Sequence, residues 1–293
     1  MIRHIFALLR PHQWLKNAFV FTPLFFGRHT TDWCYVWPCI QAVVAFCLVA
    51  SGIYCFNDIQ DADADRRHPV KRERPVASGA ISQPVAYSTM AALWAAAFIL
   101  VTFGSCASRE LLAGVLLLYI VINVAYCLKL KQITILDVFI IATGFVLRIV
   151  AGGVATGIGL SHWIVLTTFL LALFLALAKR RDDVAIYDRS GMKARKSVEH
   201  YNMDFLGAAI AIMGSVTIVC YILYTVSDEV VERVGSHHLY ATSVFVLAGI
   251  LRYMQLTLVD GRSGSPTKVL MRDHFIILCV AGWITMFAII LYM

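Results

Sequence analysis

Long apolar runs, separated by short charged segments, dominate this sequence. A helix needs roughly 20 apolar residues to cross a hydrocarbon core about 30 Å thick. Nine runs approach or reach that length, and each is predicted to span a membrane: Leu15–Gly27, Trp33–Phe56, Val85–Ser105, Leu111–Leu128, Ile133–Thr156, His162–Ala178, Phe205–Val226, Leu239–Leu258 and His274–Tyr292. The first run is short and contains Pro23, so a kink is expected there. The sequence therefore predicts an all-α integral membrane protein with a single polytopic domain over residues 1–293.

Composition supports a membrane protein and argues against a nucleic-acid partner. Of the 293 residues, 60% are hydrophobic and 15% are charged, whereas a soluble domain is about half apolar and about a quarter charged. The formal net charge is +7, but the basic residues lie in short segments between apolar runs. Such segments face the cytoplasm or an anionic substrate. The eight cysteines form no C-x-x-C pair, so no zinc or redox motif is expected.

The positions of the basic residues predict the orientation. If the N-terminus is inside and the spans alternate, 20 of the 25 Lys and Arg fall in inside segments and three in outside ones. An excess of this kind is typical of cytoplasmic loops. We therefore predict a cytoplasmic N-terminus, an outside C-terminus, and functional residues in two long cytoplasmic loops, about 57–84 and 179–204.

An acidic cluster follows the second predicted span and contains four aspartates within eight residues, Asp58, Asp61, Asp63 and Asp65. On a helix, Asp61 and Asp65 lie about 60° and about 20° from Asp58, whereas Asp63 lies on the other side. Three carboxylates on one face repel one another and need a cation, and oxygen ligands of this kind suit Mg²⁺ that bridges to phosphates. We predict Asp58, Asp61 and Asp65 as metal ligands. The alternative is a solvated acidic helix end.

Basic residues follow the aspartates and extend the candidate site. Lys71, Arg72 and Arg74 lie in a basic run, His68 to Pro75, and can hold phosphate oxygens, although the run also fits a topology signal. Further candidates to hold an anionic substrate are Lys129, Arg148, Lys179 and Arg180. Arg148 falls inside a predicted span, where a charge costs about 2.5–3.5 kcal/mol and indicates function or a buried pair. The basic pair at 179–180 fits lipid head groups equally well.

The motif N-D-x-x-D-x-x-x-D, which comprises Asn57, Asp58, Asp61 and Asp65, resembles the first signature of the UbiA superfamily of intramembrane prenyltransferases. The resemblance extends over nearly the whole chain. It implies a UbiA-like bundle of nine transmembrane helices in which this motif binds Mg²⁺ and a diphosphate, with Asn57 assisting. Within the superfamily, the stretches 10–17, 65–75 and 148–153 resemble the phosphoribosyl-transferring branch. The second D-x-x-x-D of members that use prenyl diphosphates has no counterpart here, because Asp182, Asp183 and Asp188 are never four apart.

That branch implies a Mg²⁺-dependent transfer of 5-phosphoribose from phosphoribosyl diphosphate to a polyprenyl (decaprenyl) phosphate, with release of pyrophosphate. The resemblance implies a multi-pass protein of the bacterial inner membrane that serves cell envelope biosynthesis and whose active site faces the cytoplasm. Substrate-binding residues are then expected to be Lys16, Asn17, Arg66, Lys71, Arg72, Arg74, Tyr126, Lys129, Arg148, Lys179 and Arg180. The alternatives are a UbiA-type prenyltransferase that joins a prenyl diphosphate to an aromatic or other acceptor, and a transporter of an anionic solute. A homo-oligomer is compatible with the sequence.

The predicted orientation can be tested by labelling single introduced cysteines with a membrane-impermeant reagent. Four positions should react only from the cytoplasmic side: Lys71, Lys129, Lys193 and Lys268. Cysteines at Arg109 and Gly235 should react only from the outside. Labelling of Lys193→Cys from the outside would contradict the nine-span topology, because that position is central to the most basic segment.

Overall fold

The structure, a computed structural model, describes residues 2–67, 70–190, 196–261, 269 and 272–292. Within these ranges it is built from helices without strands, and eight helical spans are long and apolar enough to cross a membrane; the seventh span, His237–Leu258, includes a 3-10 segment before its α-helix. We number them α1 (Trp33–Gln60), α2 (Gln83–Phe103), α3 (Arg109–Leu128), α4 (Leu136–Thr156), α5 (His162–Ser190), α6 (Met203–Val226), α7 (Ser243–Leu258) and α8 (His274–Tyr292). Short α-helices cover Ile2–Leu9, Thr22–Phe26, Ala62–Arg66, Lys196–Glu199 and Asp228–Val234, and 3-10 segments cover Pro11–Phe21, Lys71–Glu73, Leu130–Gln132 and His237–Thr242.

These eight helices correspond to eight of the nine predicted spans, and the all-α prediction is confirmed for the described residues. Two helices continue past their predicted C-terminal boundaries. Helix α5 continues to Ser190, so the segment that begins at Lys179, which we predicted as a loop, is helical at first. Helix α1 has 28 residues and is therefore about 42 Å long, against a hydrocarbon core of about 30 Å. The end of α1 thus has length to spare beyond the core.

The first predicted span, Leu15–Gly27, does not form a continuous α-helix. The structure has an 11-residue 3-10 helix, Pro11–Phe21, followed by the short α-helix Thr22–Phe26. Pro23 has no backbone N–H to donate to the preceding turn, so it begins a new helix instead of extending the old one. Runs of 3-10 helix longer than 3–4 residues are uncommon. The segment must therefore be held by its neighbours.

Residues 10–26, which we call the N-terminal segment, are held by helix α1. Four side-chain hydrogen bonds join the two: Arg10 to Asp58, Trp14 Nε1 to Ser51 Oγ (3.0 Å), Asn17 Nδ2 to Cys47 Sγ (3.1 Å) and Cys39 Sγ to Val20 O (3.5 Å). Residues that come later in the N-terminal segment bond to residues that come earlier in α1. The segment therefore runs antiparallel to α1 over nearly the whole length of that helix.

The chain divides into two compact units, the first of which comprises Met1–Lys131 and Gly144–Leu160. In this unit α1 packs against α2, α3 and the N-terminal segment. Small residues allow close packing, as is common between membrane helices. The Trp94 indole lies against Gly52, where an added Cβ would meet its Nε1 at 2.2 Å. At Gly152 an added Cβ would lie 2.0 Å from the backbone oxygen of Val20.

The second unit comprises Gln132–Thr143 and Ser161–Met293. Here α5 packs on α6, α6 on α7 and α7 on α8. Helix α6 begins where the Asn202 side chain accepts a hydrogen bond from the Phe205 backbone N–H at 2.7 Å, the arrangement of an N-cap. The rings of Phe174 and Tyr253 pack with centroids 5.6 Å apart in its core.

The close approach at Gly152 gives a stability prediction. We expect Gly152→Ala to lower the free energy of unfolding by about 1–3 kcal/mol, the usual cost of overpacking, because backbone rather than a flexible side chain blocks the new methyl group. Gly114→Ala is the matched control, since an added Cβ there meets no atom within 4 Å. Thermal unfolding in detergent measures both, and equal melting temperatures for the two variants would contradict the packing described.

Candidate active site

The acidic cluster lies where α1 ends at Gln60 and the short helix Ala62–Arg66 follows. Asp58 is 1% exposed and Asp65 is 4% exposed. By contrast, the Asp63 side chain is 85% exposed. The structure therefore separates Asp63 from the two buried aspartates, as the helical spacing predicts.

Two arginines neutralise the buried aspartates. Arg74 Nη1 lies 2.6 Å from Asp65 Oδ2 and 3.5 Å from Asp58 Oδ1, so it bridges the two carboxylates. Arg10 donates a hydrogen bond to the same Asp58 Oδ1 and packs over the ring of Tyr54, 5.1 Å from its centroid. Asp58 Oδ2 is buried and accepts no hydrogen bond from the described residues. A buried carboxylate needs such cationic partners, because burial without them is costly.

Asp61 has a different partner, which lies on the 3-10 turn after α3. Lys131 Nζ lies 2.5 Å from Asp61 Oδ1, and the two side chains are 12% and 20% exposed. Lys129, which we predicted as a substrate-binding residue, is exposed at the end of α3. Asn57, the remaining member of the motif, accepts a hydrogen bond from Cys127 Sγ at 3.5 Å.

The aspartates do not converge into a ready-made metal site. Among the described residues, no three His, Cys, Asp or Glu side chains are grouped so that they could hold a metal ion. Like carboxylates repel one another when they approach, and here each predicted ligand is drawn to a basic side chain instead. As placed in this structure, the side chains of Asp58, Asp61 and Asp65 therefore do not form the predicted site of three metal-ligating carboxylates.

Arg74 links the predicted basic run to the aspartates. Arg74 contacts them directly, as described. Lys71 is half-buried and Arg72 is exposed, and both lie in the 3-10 turn Lys71–Glu73. His68 and Pro69 lie outside the described residues.

Three other predicted substrate-binding residues lie in the first unit. Arg66 Nη1 pairs with the exposed Asp63 at 2.6 Å, and its Nε donates to Ala77 O at 3.2 Å. This places Arg66 with the exposed aspartate instead of the buried pair. Lys16 and Tyr126 are half-buried.

Arg148 is 5% exposed and joins three elements of the first unit. Its Nε donates to Asn17 Oδ1 at 2.8 Å, its Nη2 to Tyr119 Oη at 3.0 Å, and its Nη1 to Gly144 O at 2.6 Å. Three aromatic rings surround the guanidinium with centroids 5.1 to 5.3 Å away. No carboxylate of the described chain forms an ion pair with Arg148. Hydrogen bonds and aromatic faces thus support this buried charge.

Arg180 and Lys179, the last predicted residues, belong to the second unit. Arg180 is buried, with its Nε 2.7 Å from Asp137 Oδ2, and it also pairs with Asp183. Lys179 is exposed. Two carboxylates therefore share the charge of Arg180, which we predicted to bind an anionic substrate.

Tyr201 completes the Arg180 cluster. Its hydroxyl donates to Asp137 Oδ1 at 2.9 Å and accepts the Ile135 backbone N–H at 2.8 Å. Burial raises the pKa of Tyr201, so the hydroxyl keeps its proton for the bond to Asp137. Ile135 has a positive φ of 70°, which is rare for a β-branched residue, and this contact fixes its N–H.

The matches to known proteins agree with the motif at the end of α1. The sequence model of the UbiA prenyltransferase family matches residues 18–200, which include the aspartates and Arg148. The chain belongs to the UbiA prenyltransferase family. The family predicted from the aspartate motif is therefore confirmed.

Two relatives of this UbiA-family chain are named decaprenyl-phosphate phosphoribosyltransferase. The one from Mycolicibacterium smegmatis is 33% identical over 294 residues, covering 97% of this chain and 91% of the relative. The one from Corynebacterium glutamicum is 34% identical over 283 residues, covering 94% and 83%. A UbiA homolog from Archaeoglobus fulgidus, solved with GPP and Mg²⁺, superimposes with a TM-score of 0.70 over 99% of this chain and 100% of the homolog. At 19% identity, this last likeness concerns the fold alone.

The UbiA motif does not point to two of the cations that contact its aspartates. Arg10 precedes Asp58 by 48 residues, and Lys131 follows Asp61 by 70. Spacing along one helix identifies groups on the same face, but it carries no information on such distant pairs. Two signals point toward them without naming their partners: Arg10 lies in the stretch 10–17 that resembles the phosphoribosyl-transferring branch, and Lys131 is a basic residue near the end of an apolar run, as several others are.

The contacts of Arg148 predict a structural effect of its replacement. We expect Arg148→Lys to destabilise the protein by roughly 1.5–3 kcal/mol for each charged hydrogen bond lost, because a lysine ammonium cannot reproduce the fixed fork of a guanidinium. The exposed Arg109 provides the control, and Arg109→Lys should leave stability unchanged. Melting temperatures in detergent would decide, and an unchanged value for Arg148→Lys would rule out the role assigned to these contacts.

Proposed function

We propose that this protein transfers 5-phosphoribose from phosphoribosyl diphosphate to a polyprenyl phosphate, such as decaprenyl phosphate, and releases pyrophosphate. Relatives with the corresponding name align over 94–97% of the chain. The structural observation that carries the proposal is the contact of buried acids with half-buried bases at the end of α1, where Asp58 and Asp65 lie beside Arg10 and Arg74. Such a set can hold a metal ion and phosphate oxygens at the same time.

The chemistry of these donors suits Mg²⁺, although each carboxylate is paired with a basic side chain. Asp58 Oδ2 is buried without a hydrogen bond from the described residues, and the carboxylates of Asp61 and Asp65 lie at the same end of α1. Oxygen ligands of this type suit Mg²⁺, which normally keeps several waters and bridges to phosphates. We therefore assign Asp58, Asp61 and Asp65 as the metal ligands, with Asn57 assisting. Bound there, Mg²⁺ would offset the negative charge that develops on the leaving pyrophosphate.

The residues of this chain would bind and orient the substrates without acting as a base. Arg74, with Lys71 and Arg72 on the adjacent turn, would hold phosphate oxygens of the donor. The acceptor phosphate is already ionised, so no general base is needed to activate it. Cations preorganised around the diphosphate would stabilise the transition state. Asp63, exposed and paired with Arg66, would have no direct part.

We further propose that the N-terminal segment is a ninth membrane crossing. Eleven residues of 3-10 helix at about 2.0 Å each, and five of α-helix at about 1.5 Å each, together span about 30 Å, which matches the hydrocarbon core. Its antiparallel contacts with α1 support this. If the chain crosses the bacterial inner membrane nine times and its N-terminus is in the cytoplasm, the acidic end of α1 also faces the cytoplasm. The site on segment 57–84 then lies on that side as well.

The absence of the second acidic motif disfavours the prenyltransferase alternative. Asp182, Asp183 and Asp188 do not have the D-x-x-x-D spacing that prenyl-diphosphate-using members show. One acidic motif surrounded by cations suits a donor that carries an extra phosphate and an acceptor that is itself a phosphate.

The test is a transfer assay with the purified protein, phosphoribosyl diphosphate, decaprenyl phosphate and Mg²⁺, followed by mass spectrometry of the lipid. We expect a lipid product heavier by one phosphoribosyl group, and none in excess EDTA. Asp58→Asn and Asp65→Asn should lose most of the activity, because each keeps the size of the side chain but removes a negative charge from the metal site. Asp63→Asn, on the exposed side, should retain most of it.

Other outcomes of the assay would contradict the proposal. Prenyl transfer from a prenyl diphosphate to an aromatic acid, without ribosyl transfer, would favour the alternative. A loss in Asp63→Asn as large as that in Asp58→Asn would show that the exposed and buried sides are wrongly assigned. Full activity in EDTA would exclude the role given to the metal.

A further inference from the structure

Three carboxylates and three basic side chains form ion pairs at the end of α1, and Arg74 also reaches a second carboxylate, Asp58. The three pairs are Asp58 with Arg10, Asp65 with Arg74, and Asp61 with Lys131. The formal charges of the six groups cancel. A divalent cation that joined them would leave two uncompensated positive charges in a largely buried cluster, which is unfavourable. Metal binding should therefore require a basic side chain to leave or a diphosphate to arrive.

At Asp58, a metal ion and two basic side chains would compete for the same carboxylate. Its Oδ1 is shared by Arg10 and Arg74, while its Oδ2 is buried and receives no hydrogen bond from the described residues. Oδ2 is therefore the oxygen of Asp58 that a metal could take without displacing a hydrogen bond from the described residues. Two cations on one buried carboxylate repel each other strongly, because the surroundings screen them poorly.

The backbone at Arg10 is arranged for this contact. Arg10 has φ 51° and ψ 59°, a left-handed conformation that is uncommon for residues other than glycine. The turn is held by Ser51 Oγ, which donates to Leu9 O at 3.0 Å, and the guanidinium packs over Tyr54. Strained residues of this kind persist only where the surrounding structure determines them, and they cluster at functional sites.

Lys131 comes from a distant part of the chain, 70 residues after Asp61. Helix α3 ends at Leu128, and the 3-10 turn Leu130–Gln132 brings Lys131 Nζ to 2.5 Å from Asp61 Oδ1. At 12% exposure the lysine side chain is mostly shielded from water. Its charge therefore acts on the aspartate with little screening.

We propose that Arg10 and Lys131 are internal counterions that compete with the divalent metal for Asp58 and Asp61, and that turn to the donor diphosphate when metal and donor bind together. The identity of the donor rests on the proposed function, whereas the competition concerns the metal alone. Both residues then make metal binding weak without a diphosphate and strong with one. They set the order of binding, since metal and donor enter as a charge-balanced pair.

The experiment measures Mn²⁺ binding to the purified full chain in detergent, from the electron paramagnetic resonance signal of free Mn²⁺. Without donor, Arg10→Gln and Lys131→Gln should each bind Mn²⁺ about tenfold more tightly than the wild type, because a competing positive charge is gone. With phosphoribosyl diphosphate present, the wild type should gain at least about tenfold in Mn²⁺ affinity, and the two variants should gain less. The KM for the donor should rise in both variants more than kcat falls.

Two controls separate this competition from a loss of structure. Arg233→Gln removes an exposed arginine whose Nη2 lies 2.5 Å from Glu229 Oε1 in the second unit, and it should leave Mn²⁺ affinity unchanged. Arg10→Lys keeps the positive charge and should bind Mn²⁺ as the wild type does. If thermal melting shows that Arg10→Gln is unfolded, Lys131→Gln decides alone.

Unchanged Mn²⁺ affinity in folded Lys131→Gln, or no Mn²⁺ binding by the wild type even with phosphoribosyl diphosphate present, would overturn the proposal. Tighter Mn²⁺ binding in the variants of a protein that transfers no phosphoribose would support the competition and refute the proposed function. The two proposals therefore fail on different measurements.

Discussion

The buried negative charge of Asp58 is the constraint on which the surrounding structure depends. A carboxylate that is 1% exposed needs cations within reach, because water no longer stabilises it. One of those cations, Arg10, comes from the chain before α1, and the other, Arg74, from the chain after it. The pairing therefore draws two separate segments to the same end of one helix. The chemistry proposed for the site follows from this convergence, since it places acids and bases side by side.

The N-terminal segment is held at two depths in the first unit. Arg10 fixes its beginning to the end of α1, and Asn17 fixes its middle by accepting a hydrogen bond from the buried Arg148. Arg148 in turn binds Tyr119 of α3, so one guanidinium connects the segment with two further helices. Because these groups satisfy one another, a 3-10 helix of unusual length is stable here. The geometry at the aspartates thus rests on contacts some distance from them.

The parts that could be predicted from the sequence are those that depend on local spacing. Apolar runs predict the eight long helices of the described chain. The helical spacing of the aspartates correctly assigns Asp58 to the buried side and Asp63 to the exposed side. Contacts between distant residues could not be predicted. Arg180, which is predicted to bind an anionic substrate, pairs with Asp137, 43 residues earlier in the chain, and no local spacing indicates that contact. For the first span the sequence predicts an α-helix, but the structure has a 3-10 helix there. Hydrophobicity cannot distinguish the two kinds of helix, because it reports burial alone.

The antiparallel contact of the N-terminal segment with α1 has a consequence for biogenesis. Under the nine crossings proposed above, this segment would enter the bilayer with an amide such as Asn17 and with Lys16, neither of which is stable alone in hydrocarbon. Its hydrogen-bond partners, among them Ser51 and Cys47, lie on α1 and are synthesised later. The segment should therefore wait at the translocon until α1 emerges from the ribosome, and the two should insert as one hairpin. The first product of membrane integration would then already contain the pairing of Arg10 with Asp58.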